Sequence, residues 1–537
     1  MVNYVTFSRN VDNVRVKHYL IRIALSDSAL RNNTSSIEGD IIAFFVSTEE
    51  KDRDEDQLSS SKRQKRDDNI ILDCKDIDVS SCSVVMGCGS QDFEAFIGPF
   101  SERTKRKEMN KWYELPCEDV GFKVTPWYLD ICCEGRLFPL VLRIRYRTTP
   151  RGGSLAWRRD YSGSPCVFTC PSNINNRALF PCQEPPVAMA TWQAAITAPA
   201  DFEVLCSGDE DAEVDTSTSA EDPRTHYFYS SMVLPMSTFS LAIGKWKCVQ
   251  LVSRGECESV RPSSEAPYLT AAAPAPECTH EPYPCHVRRG DSGPLIPCRL
   301  FAPQKFIEDH VDVKSLSVYV SGCLEAAYSV LGSHPFAKLD FLVPPRCFSS
   351  LGFASPNLTF LSQSLFLRRG DLSMMPRIAH EVSHSWFGLV IGAMDWTEEW
   401  LSEGFATFME DPIHEKAMQV ISRRHPTLES LFGCPLQHQP DWNKVAQLRA
   451  EIRFRTLSAE LENTESDLQS LRPMRGNELR DEKTDTLFVK NGINPEIAFT
   501  QVHYIKGYFI LRYSIDECCF IFTAQLLSLY HTTMAMP

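Results

Sequence analysis

The stretch Pro376-Arg-Ile-Ala-His380-Glu381-Val-Ser-His384-Ser-Trp386 decides the fold of this chain. Pro376 suits the first turn of a helix, and no helix breaker follows before Gly388. His380 and His384 are four residues apart, so both imidazoles project from one helix face. Glu381 follows the first histidine and can reach a water molecule beside them. Two imidazoles with an adjacent carboxylate are typical of zinc hydrolysis, which needs ligands, an open position and a general base.

A second acidic run supplies the ligand that two histidines leave missing. In Trp400-Leu-Ser-Glu403-Gly-Phe-Ala406, Glu403 would complete a set of two histidines and one glutamate, with the fourth position left for water. Glu410 lies seven residues further on the same helix face. We expect it to accept a hydrogen bond from the other ring nitrogen of a ligand histidine. The alternative is a pair of surface histidines with solvated glutamates. The spacing predicts one Zn²⁺ per chain.

The wider pattern resembles a known family. His-Glu-x-x-His, followed after eighteen residues by Glu within Trp-Leu-Ser-Glu-Gly-Phe-Ala, is similar to the gluzincin zinc aminopeptidases. The resemblance implies peptide substrates, zinc ligation by His380, His384 and Glu403, and a general-base role for Glu381. It further implies that Tyr504 donates its hydroxyl to the oxyanion of the tetrahedral intermediate. Three other runs resemble family features. Pro181-Cys-Gln-Glu-Pro-Pro186 resembles a run of the family's β domain. Phe341-Leu-Val-Pro-Pro345 resembles the lead-in to its substrate strand, and Val502-His-Tyr-Ile-Lys-Gly507 resembles its tyrosine segment.

The substrate site departs from the family pattern. Its members usually carry Gly-x-Met-Glu-Asn before the zinc helix, and the glutamate binds the free amine of the substrate. In this chain Gly352, Phe353 and Ala354 occupy that substrate-binding run, and Ala354 stands where the acid is expected. Glu496 falls where a family member places a carboxylate that reads a basic first side chain.

These residues predict a zinc-dependent metallo-aminopeptidase that favours basic N-termini such as Arg. Two alternatives stay open at this point. One is a zinc hydrolase without a strict free-amine requirement, because the amine anchor is missing. The other is a catalytically impaired, truncated form that binds peptides or regulates partners.

The predicted fold class is multidomain α+β. Hydrophobic alternation in runs such as Val14–Ile23 and Leu140–Tyr146 favours a mostly-β region over 1–245, with a charged insertion around 47–69. Residues 246–300 are expected to form a Pro-rich linker or long loop. The resemblance implies that the first region is a saddle-shaped domain. It also implies a thermolysin-like, mainly helical catalytic domain over 301–512, with a polar insertion at 427–494. Residues 513–537 read as an atypical tail, and we expect the family's C-terminal helical domain to be missing.

Composition limits the partners and the cellular location. The formal charge of −14 over 537 residues argues against general affinity for nucleic acid or anionic membranes. Apolar stretches stay short of a membrane span, and the charged N-terminus does not resemble a signal peptide. We therefore expect reduced cysteines and a cytoplasmic protein. Lys62-Arg-Gln-Lys-Arg66 is a candidate nuclear or nucleolar address, or else an exposed charged loop. The sequence indicates no oligomeric state.

Overall fold

The structure is a computed structural model. It describes residues 11, 13–31, 35–47, 69–87, 106–170, 176–211, 222–259, 293–345, 348, 350–366, 375–393, 398–425, 441–464, 480–481, 486–487 and 502–517. The chain divides into two compact units, one comprising Met1–Arg158, Pro165–Lys245 and Gly476–Pro495, and the other Arg159–Ser164, Trp246–Arg475 and Glu496–Pro537. Several predicted features lie outside the described residues: most of the charged insertion with its basic run, the Pro-rich stretch 260–292, Glu496, and the tail after Glu517.

The first unit consists mainly of strands. They are β1 Val14–Ala24, β2 Glu38–Ser47, β3 Ile70–Asp73, β4 Ile77–Val85, β5 Cys117–Asp119, β6 Phe122–Val124, β7 Tyr128–Ile131, β8 Leu140–Thr148, β9 Leu155–Arg159, β10 Pro165–Thr169, β11 Met189–Ala198, β12 Glu203–Cys206, β13 Asp209–Glu210, β14 Arg224–Pro235 and β15 Leu241–Gly244. Its helices are α1 Asp27–Arg31 and α2 Arg106–Glu114, with 3-10 turns at Asn176–Ala178 and Met236–Thr238.

Three sheets organise these strands. The largest has the order β13-β14-β11-β1-β2-β8-β4-β5, and the smaller sheets run β12-β15-β10-β9 and β3-β7-β6. Strand β1 is parallel to β11 and antiparallel to β2. The strands predicted at Val14–Ile23 and Leu140–Tyr146 are confirmed as β1 and β8.

Strand β1 is buried on both of its faces near its centre. Tyr19 and Ile21 belong to the main apolar core of this unit. Leu20 and Phe44 pack on the opposite side with α2, where the Phe44 and Trp112 rings meet edge to face at 4.7 Å. The hydrophobic alternation therefore gives way to a continuous buried run, because a helix covers the second face of the sheet.

The Pro181–Pro186 run fastens the start of β1. Gln183 Nε2 donates to the Val14 carbonyl at 2.8 Å, and the Val16 amide donates to Gln183 Oε1 at 2.9 Å. Arg177 Nε donates to Glu184, and Asp73 lies nearby, 4.0 Å from Arg177 Nη1. All three charged side chains are at most 2% exposed, so each depends on the others for charge compensation.

The second unit combines one sheet with most of the helices. Its strands are β16 Trp246–Val252, β17 Cys298–Pro303, β18 Leu339–Leu342, β19 Gly352–Ser355 and β20 Leu358–Leu361. The helices are α3 Arg254–Ser259, α4 Gln304–His310, α5 Val313–Leu331, α6 Pro376–Ser383, α7 Glu399–Arg424, α8 Trp442–Asn463 and α9 Val502–Glu517, with a 3-10 turn at Gln363–Phe366. The sheet order is β16-β17-β18-β20-β19, which leaves β19 at one edge. Two short paired strands, β21 Arg480–Asp481 and β22 Thr486–Leu487, cluster with the first unit.

The structure corrects two predicted boundaries. The range 246–300 begins and ends in strands, since β16 pairs antiparallel with β17 and buries Leu251 and Val252. The Pro-, Ala- and Ser-rich composition between these strands hid them from the sequence analysis. Helix α9 continues to Glu517, beyond the boundary predicted before residue 513, because no Pro or Gly interrupts the run Tyr513–Glu517.

The described residues contain neither a candidate membrane-spanning helix nor a disulfide. Among the described residues, no helix is long and apolar enough to cross a membrane. The cysteines of the described segments are free thiols.

Replacing Arg177 with Met should strongly destabilise the first unit. The change leaves Glu184 and Asp73 buried without their cation, a loss that typically costs about 3–5 kcal/mol. Urea denaturation and amide hydrogen exchange in β1 each measure the free energy of unfolding. The matched control is Arg151→Met, because Arg151 is 80% exposed and lies 3.7 Å from Asp76. Equal unfolding free energies for the two variants would contradict a stabilising role for the buried cluster.

Candidate metal centre

Helix α6 brings the two histidines onto one face. Pro376 occupies its first turn, and the helix ends at Ser383 rather than continuing towards Gly388. His384 follows the helix end with φ −60° and ψ −21°, and its amide still donates to the His380 carbonyl at 3.2 Å. The predicted i, i+4 arrangement therefore persists, although the second histidine lies just beyond the helix.

The early helix end has a consequence for His384. The chain turns after Ser383, so that the Phe387 carbonyl lies 2.9 Å from His384 Nδ1. Gly388 continues this turn with φ +111°, a conformation that side chains with a Cβ rarely adopt. Because the Nδ1–H donates to this carbonyl, the Nε2 atom of His384 presents its lone pair to the site.

Three ligand-type atoms converge at this face. His380 Nε2 lies 3.0 Å from His384 Nε2. Glu403 Oε2, from α7, lies 3.5 Å from His380 Nε2 and 3.3 Å from His384 Nε2. Within the described part of the chain, no other group of histidine, cysteine or acidic side chains brings its ligand atoms this close together.

The arrangement fits a tetrahedral zinc ion. Zinc lies about 2.0–2.1 Å from ligand nitrogens, which places the ligand atoms of a tetrahedral site about 3.3 Å apart. The observed separations of 3.0–3.5 Å bracket that value. Glu403 Oε2 is buried and has no hydrogen-bond donor among the described residues. With both imidazoles neutral, three electron pairs face one another in a dry site, which favours a cation between them.

The charges of the group are strongly interdependent. Burial works against a charge on His384, but the neighbouring Glu403 outweighs it and raises the pKa of His384 to about 9. Burial likewise opposes the charge on Glu403, yet His384 and His380 hold the pKa of this carboxyl far below its ordinary value. Glu403 therefore stays an anion, as a zinc ligand must, whereas His384 holds a proton at neutral pH without a metal and has to release it when a metal binds.

Glu381 lies beside this group in a dry setting. Its side chain is buried, and burial raises its pKa above the ordinary glutamate value despite the opposing effect of His380 and His384. Gly352 of the edge strand β19 packs directly on the carboxylate, since a Cβ at Gly352 would lie 2.1 Å from Glu381 Oε1. The glycine thus allows strand and carboxylate to meet.

Tyr504 reaches the site from α9. This helix crosses α7 at two glycines, where a Cβ on Gly404 would lie 2.8 Å from the Cα of Gly507. The close crossing brings Tyr504 near Glu403. Burial, followed by the charges of Glu403 and Glu399, raises the pKa of Tyr504 well above its ordinary value. The phenol is therefore a proton donor at any physiological pH.

Comparison with known proteins identifies the domain. Residues 323–514 match the model of the peptidase family M1 domain. This domain of the chain belongs to the M1 family. It is 40% identical to human aminopeptidase O over 429 residues, which is 77% of this chain and 49% of the relative. The chain thus spans about half the length of that relative.

Solved structures of M1 peptidases share the fold. Yeast LTA4 hydrolase in complex with bestatin gives a TM-score of 0.65 at 17% identity, covering 100% of this chain and 64% of that chain. An M1 zinc metallopeptidase from Deinococcus radiodurans, bound to a Tyr-Ser-Ala substrate, gives 0.55 at 16% identity, covering 97% and 87%. The predicted family and the predicted fold class of a β domain followed by a helical peptidase domain are confirmed. Membership of the M1 family implies that the metal is zinc.

The remaining predicted residues of this M1 domain fall in two places. Glu410 lies on α7 with Oε2 3.5 Å from His380 Nδ1. Contact with His380, followed by the charge of Arg453, overcomes burial and lowers the pKa of Glu410 to about 2. Phe353 and Ala354 lie on β19 and pair with Phe360 and Thr359 of β20. Glu496 is outside the described residues.

The sequence analysis missed several residues that shape the M1 site. Gly404 and Gly507 set the helix crossing, and Arg449 and Arg453 of α8 contact Glu410. The only sequence signal for the arginines was their i, i+4 spacing within a charged helical stretch of the polar insertion.

Replacing His380, His384 or Glu403 with Ala should each remove most of the bound zinc. Three protein ligands leave no redundancy in a site that keeps its fourth position open. Elemental analysis after gel filtration in metal-free buffer measures the zinc content per chain, and His425→Ala is the control because His425 lies outside the group. Zinc retention by all three variants would refute the ligand set.

Proposed function

We propose that this chain is a zinc-dependent metallo-aminopeptidase that holds one Zn²⁺ and removes N-terminal residues from peptides. The observation that carries the proposal is the convergence of two imidazole Nε2 atoms and one carboxylate oxygen, at 3.0–3.5 Å, beside the buried carboxylate of Glu381. This is the donor set and the adjacent base that metal-assisted peptide hydrolysis needs.

The side chains divide the hydrolytic work among them. When bound, zinc acts as a Lewis acid that polarises the scissile carbonyl and makes water more acidic. Glu381 takes a proton from the attacking water and transfers it to the leaving amine, a task for which its raised pKa suits it. Tyr504 donates its hydroxyl to the oxyanion of the tetrahedral intermediate, where a fixed donor stabilises charge that develops only in the transition state.

Strand β19 is the element that we assign to the substrate backbone. It is at the edge of its sheet, and Gly352 brings it against Glu381. An extended peptide can add to such an edge through main-chain hydrogen bonds, which places its first peptide bond beside the base. The family's peptide-bound structural neighbour supports peptides as the substrate class.

Specificity for the first residue rests on two positions. Ala354 replaces the acid that the family resemblance predicts for the free amine, so the amine contributes less to binding here. Glu496 provides a carboxylate for a basic first side chain such as Arg. The alanine also favours a second candidate function, a zinc hydrolase that accepts peptides with a blocked N-terminus.

We further propose that the protein acts in the cytoplasm, with the basic run Lys62–Arg66 directing a nuclear or nucleolar fraction. Microscopy of a fluorescent fusion, compared with a variant in which this run is replaced by Gly and Ser, tests the address. An unchanged distribution would assign the run to an ordinary charged loop.

Glu381→Gln should keep zinc and lose nearly all hydrolysis. The amide preserves the shape of the side chain but cannot accept the proton of water.

Tyr504→Phe should lower kcat with little change in KM, because the hydrogen bond from the Tyr504 hydroxyl forms mainly in the transition state. Kinetics on a dipeptide amide, with zinc content measured in parallel, test both variants, and Glu308→Gln at an exposed position of α4 is the control. Wild-type kcat in Tyr504→Phe would refute the assigned donor.

Peptides beginning with Arg should be hydrolysed with a higher kcat/KM than those beginning with Leu. A partly desolvated pair between Glu496 and the guanidinium contributes roughly 1–3 kcal/mol, or about five- to a hundred-fold. Glu496→Gln should erase most of this preference. Ala354→Glu should widen the preference for free over N-acetylated Arg peptides. If acetylated and free peptides react equally in the wild-type chain, the second candidate function is the correct one.

A further inference from the structure

Helix α8, which lies within the polar insertion, contacts the metal site through two arginines. Arg449 Nε lies 2.5 Å from Asp411 Oδ1, and Arg449 Nη2 donates to Glu410. Arg453 Nη1 lies 2.5 Å from Asp411 Oδ2, and its Nη2 lies 3.2 Å from Glu410 Oε1. Glu410 and Asp411 belong to α7, the helix that also carries the zinc-ligand candidate Glu403.

Arg453 also contacts the helix that carries Tyr504. Its guanidinium lies 4.3 Å from the centre of the Tyr508 ring on α9, one helical turn after Tyr504. The Tyr508 hydroxyl accepts a hydrogen bond from Arg512 at 2.8 Å. A single side chain of α8 therefore touches both α7 and α9.

The two oxygens of Glu410 face different partners. Oε1 meets Arg449 and Arg453, while Oε2 faces His380 Nδ1 at 3.5 Å. Because the arginines fix one oxygen, the other has a defined direction towards the histidine. A carboxylate held in this way orients the imidazole and raises its basicity as a ligand.

Helix α8 has few other contacts, among them ring contacts of Trp442 with His414 and of Phe454 with Phe509. Leu457 is its one buried residue among those described, and it packs with Val502 and Ile505 of α9. By contrast, the Arg453 and Asp411 side chains are only 12% and 15% exposed. Charge pairs at this depth carry more energy than exposed pairs such as Arg455–Glu451, whose side chains are 77% and 54% exposed.

We propose that Arg453, assisted by Arg449, is a positioning residue for the metal centre. Arg453 orients Glu410 towards His380 and also contacts α9, the helix that carries Tyr504. The polar insertion therefore contributes to the geometry of the active site. The proposal rests on the zinc function proposed above.

The test measures zinc retention in the full-length chain rather than activity alone. The Arg453→Gln variant should bind zinc about tenfold more weakly than the wild type, as measured by competition with a chelator. Losses of this size are typical when a residue that supports a metal ligand is replaced. Arg453→Lys should be intermediate, because it keeps the charge but loses the two-pronged guanidinium contact. Asp411→Asn should also weaken zinc binding, although Asp411 touches no zinc ligand. Arg455→Gln, on the same helix, should behave as wild type.

A second measurement separates positioning from loss of folding. Thermal unfolding of the chelated chains compares intrinsic stability, and should shift far less than zinc affinity in Arg453→Lys and Asp411→Asn. With zinc saturating, kcat should fall in Arg453→Gln while KM changes little, because Tyr504 is displaced.

The outcomes distinguish the two proposals. If Arg453→Gln, Arg453→Lys and Asp411→Asn bind zinc as tightly as the wild type, or if Arg455→Gln weakens it equally, the positioning role is wrong. If zinc affinity falls only in proportion to the stability of the chelated chain, the arginine is merely structural and the role is again wrong. A wild-type chain that binds no zinc would instead refute the proposed function.

Discussion

The close approach of three buried ligand atoms is the constraint on which this site depends. Two imidazole Nε2 atoms and one carboxylate oxygen face one another at 3.0–3.5 Å in a region from which water is largely excluded. Such a group is unfavourable unless a cation lies between its members or the surrounding structure holds them together. The turn after Ser383 and the carboxylate of Glu410 both serve this end. The turn hydrogen-bonds the Nδ1 side of His384, and Glu410 Oε2 lies 3.5 Å from the Nδ1 of His380, so both rings direct Nε2 inwards.

Close backbone approach provides the rest of the site. Glycine occurs at three points where any side chain would collide: Gly352 against Glu381, and Gly404 against Gly507 at the crossing of α7 and α9. These contacts put Glu381 next to the edge strand and Tyr504 next to Glu403. The reactive side chains can therefore reach their positions only because glycines allow the backbone to approach closely. Substitution at these glycines would displace the functional groups without removing any of them.

The grouping of His380, His384 and Glu403 and the positions of the strands were predictable from the sequence for a simple physical reason. A four-residue histidine spacing and a two-residue hydrophobic alternation are local patterns with a fixed geometric meaning. The end of α6 at Ser383 was not predictable, because the sequence contains no breaker before Gly388 and the turn is set by contacts of its own backbone. The strands at the ends of 246–300 were missed for a related reason. Pairing between β16 and β17 joins segments that are distant in the sequence, and composition carries no information about that contact.

The arginines of α8 show why a charged stretch is a poor guide to function. In the sequence, only their four-residue spacing sets Arg449 and Arg453 apart from Arg455, since all three lie in one polar helix. Only the fold distinguishes them, because it turns the first two towards Glu410 and Asp411 and the third towards solvent. The proposed ligands, the proposed base and their supports thus lie around His380, whereas the position expected to bind the substrate amine holds Ala354. These two parts of the site answer to different constraints. The geometry of the ligands and of the base is fixed by the chemistry of peptide hydrolysis, and only the groups that contact the ends of the substrate are free to change with its identity.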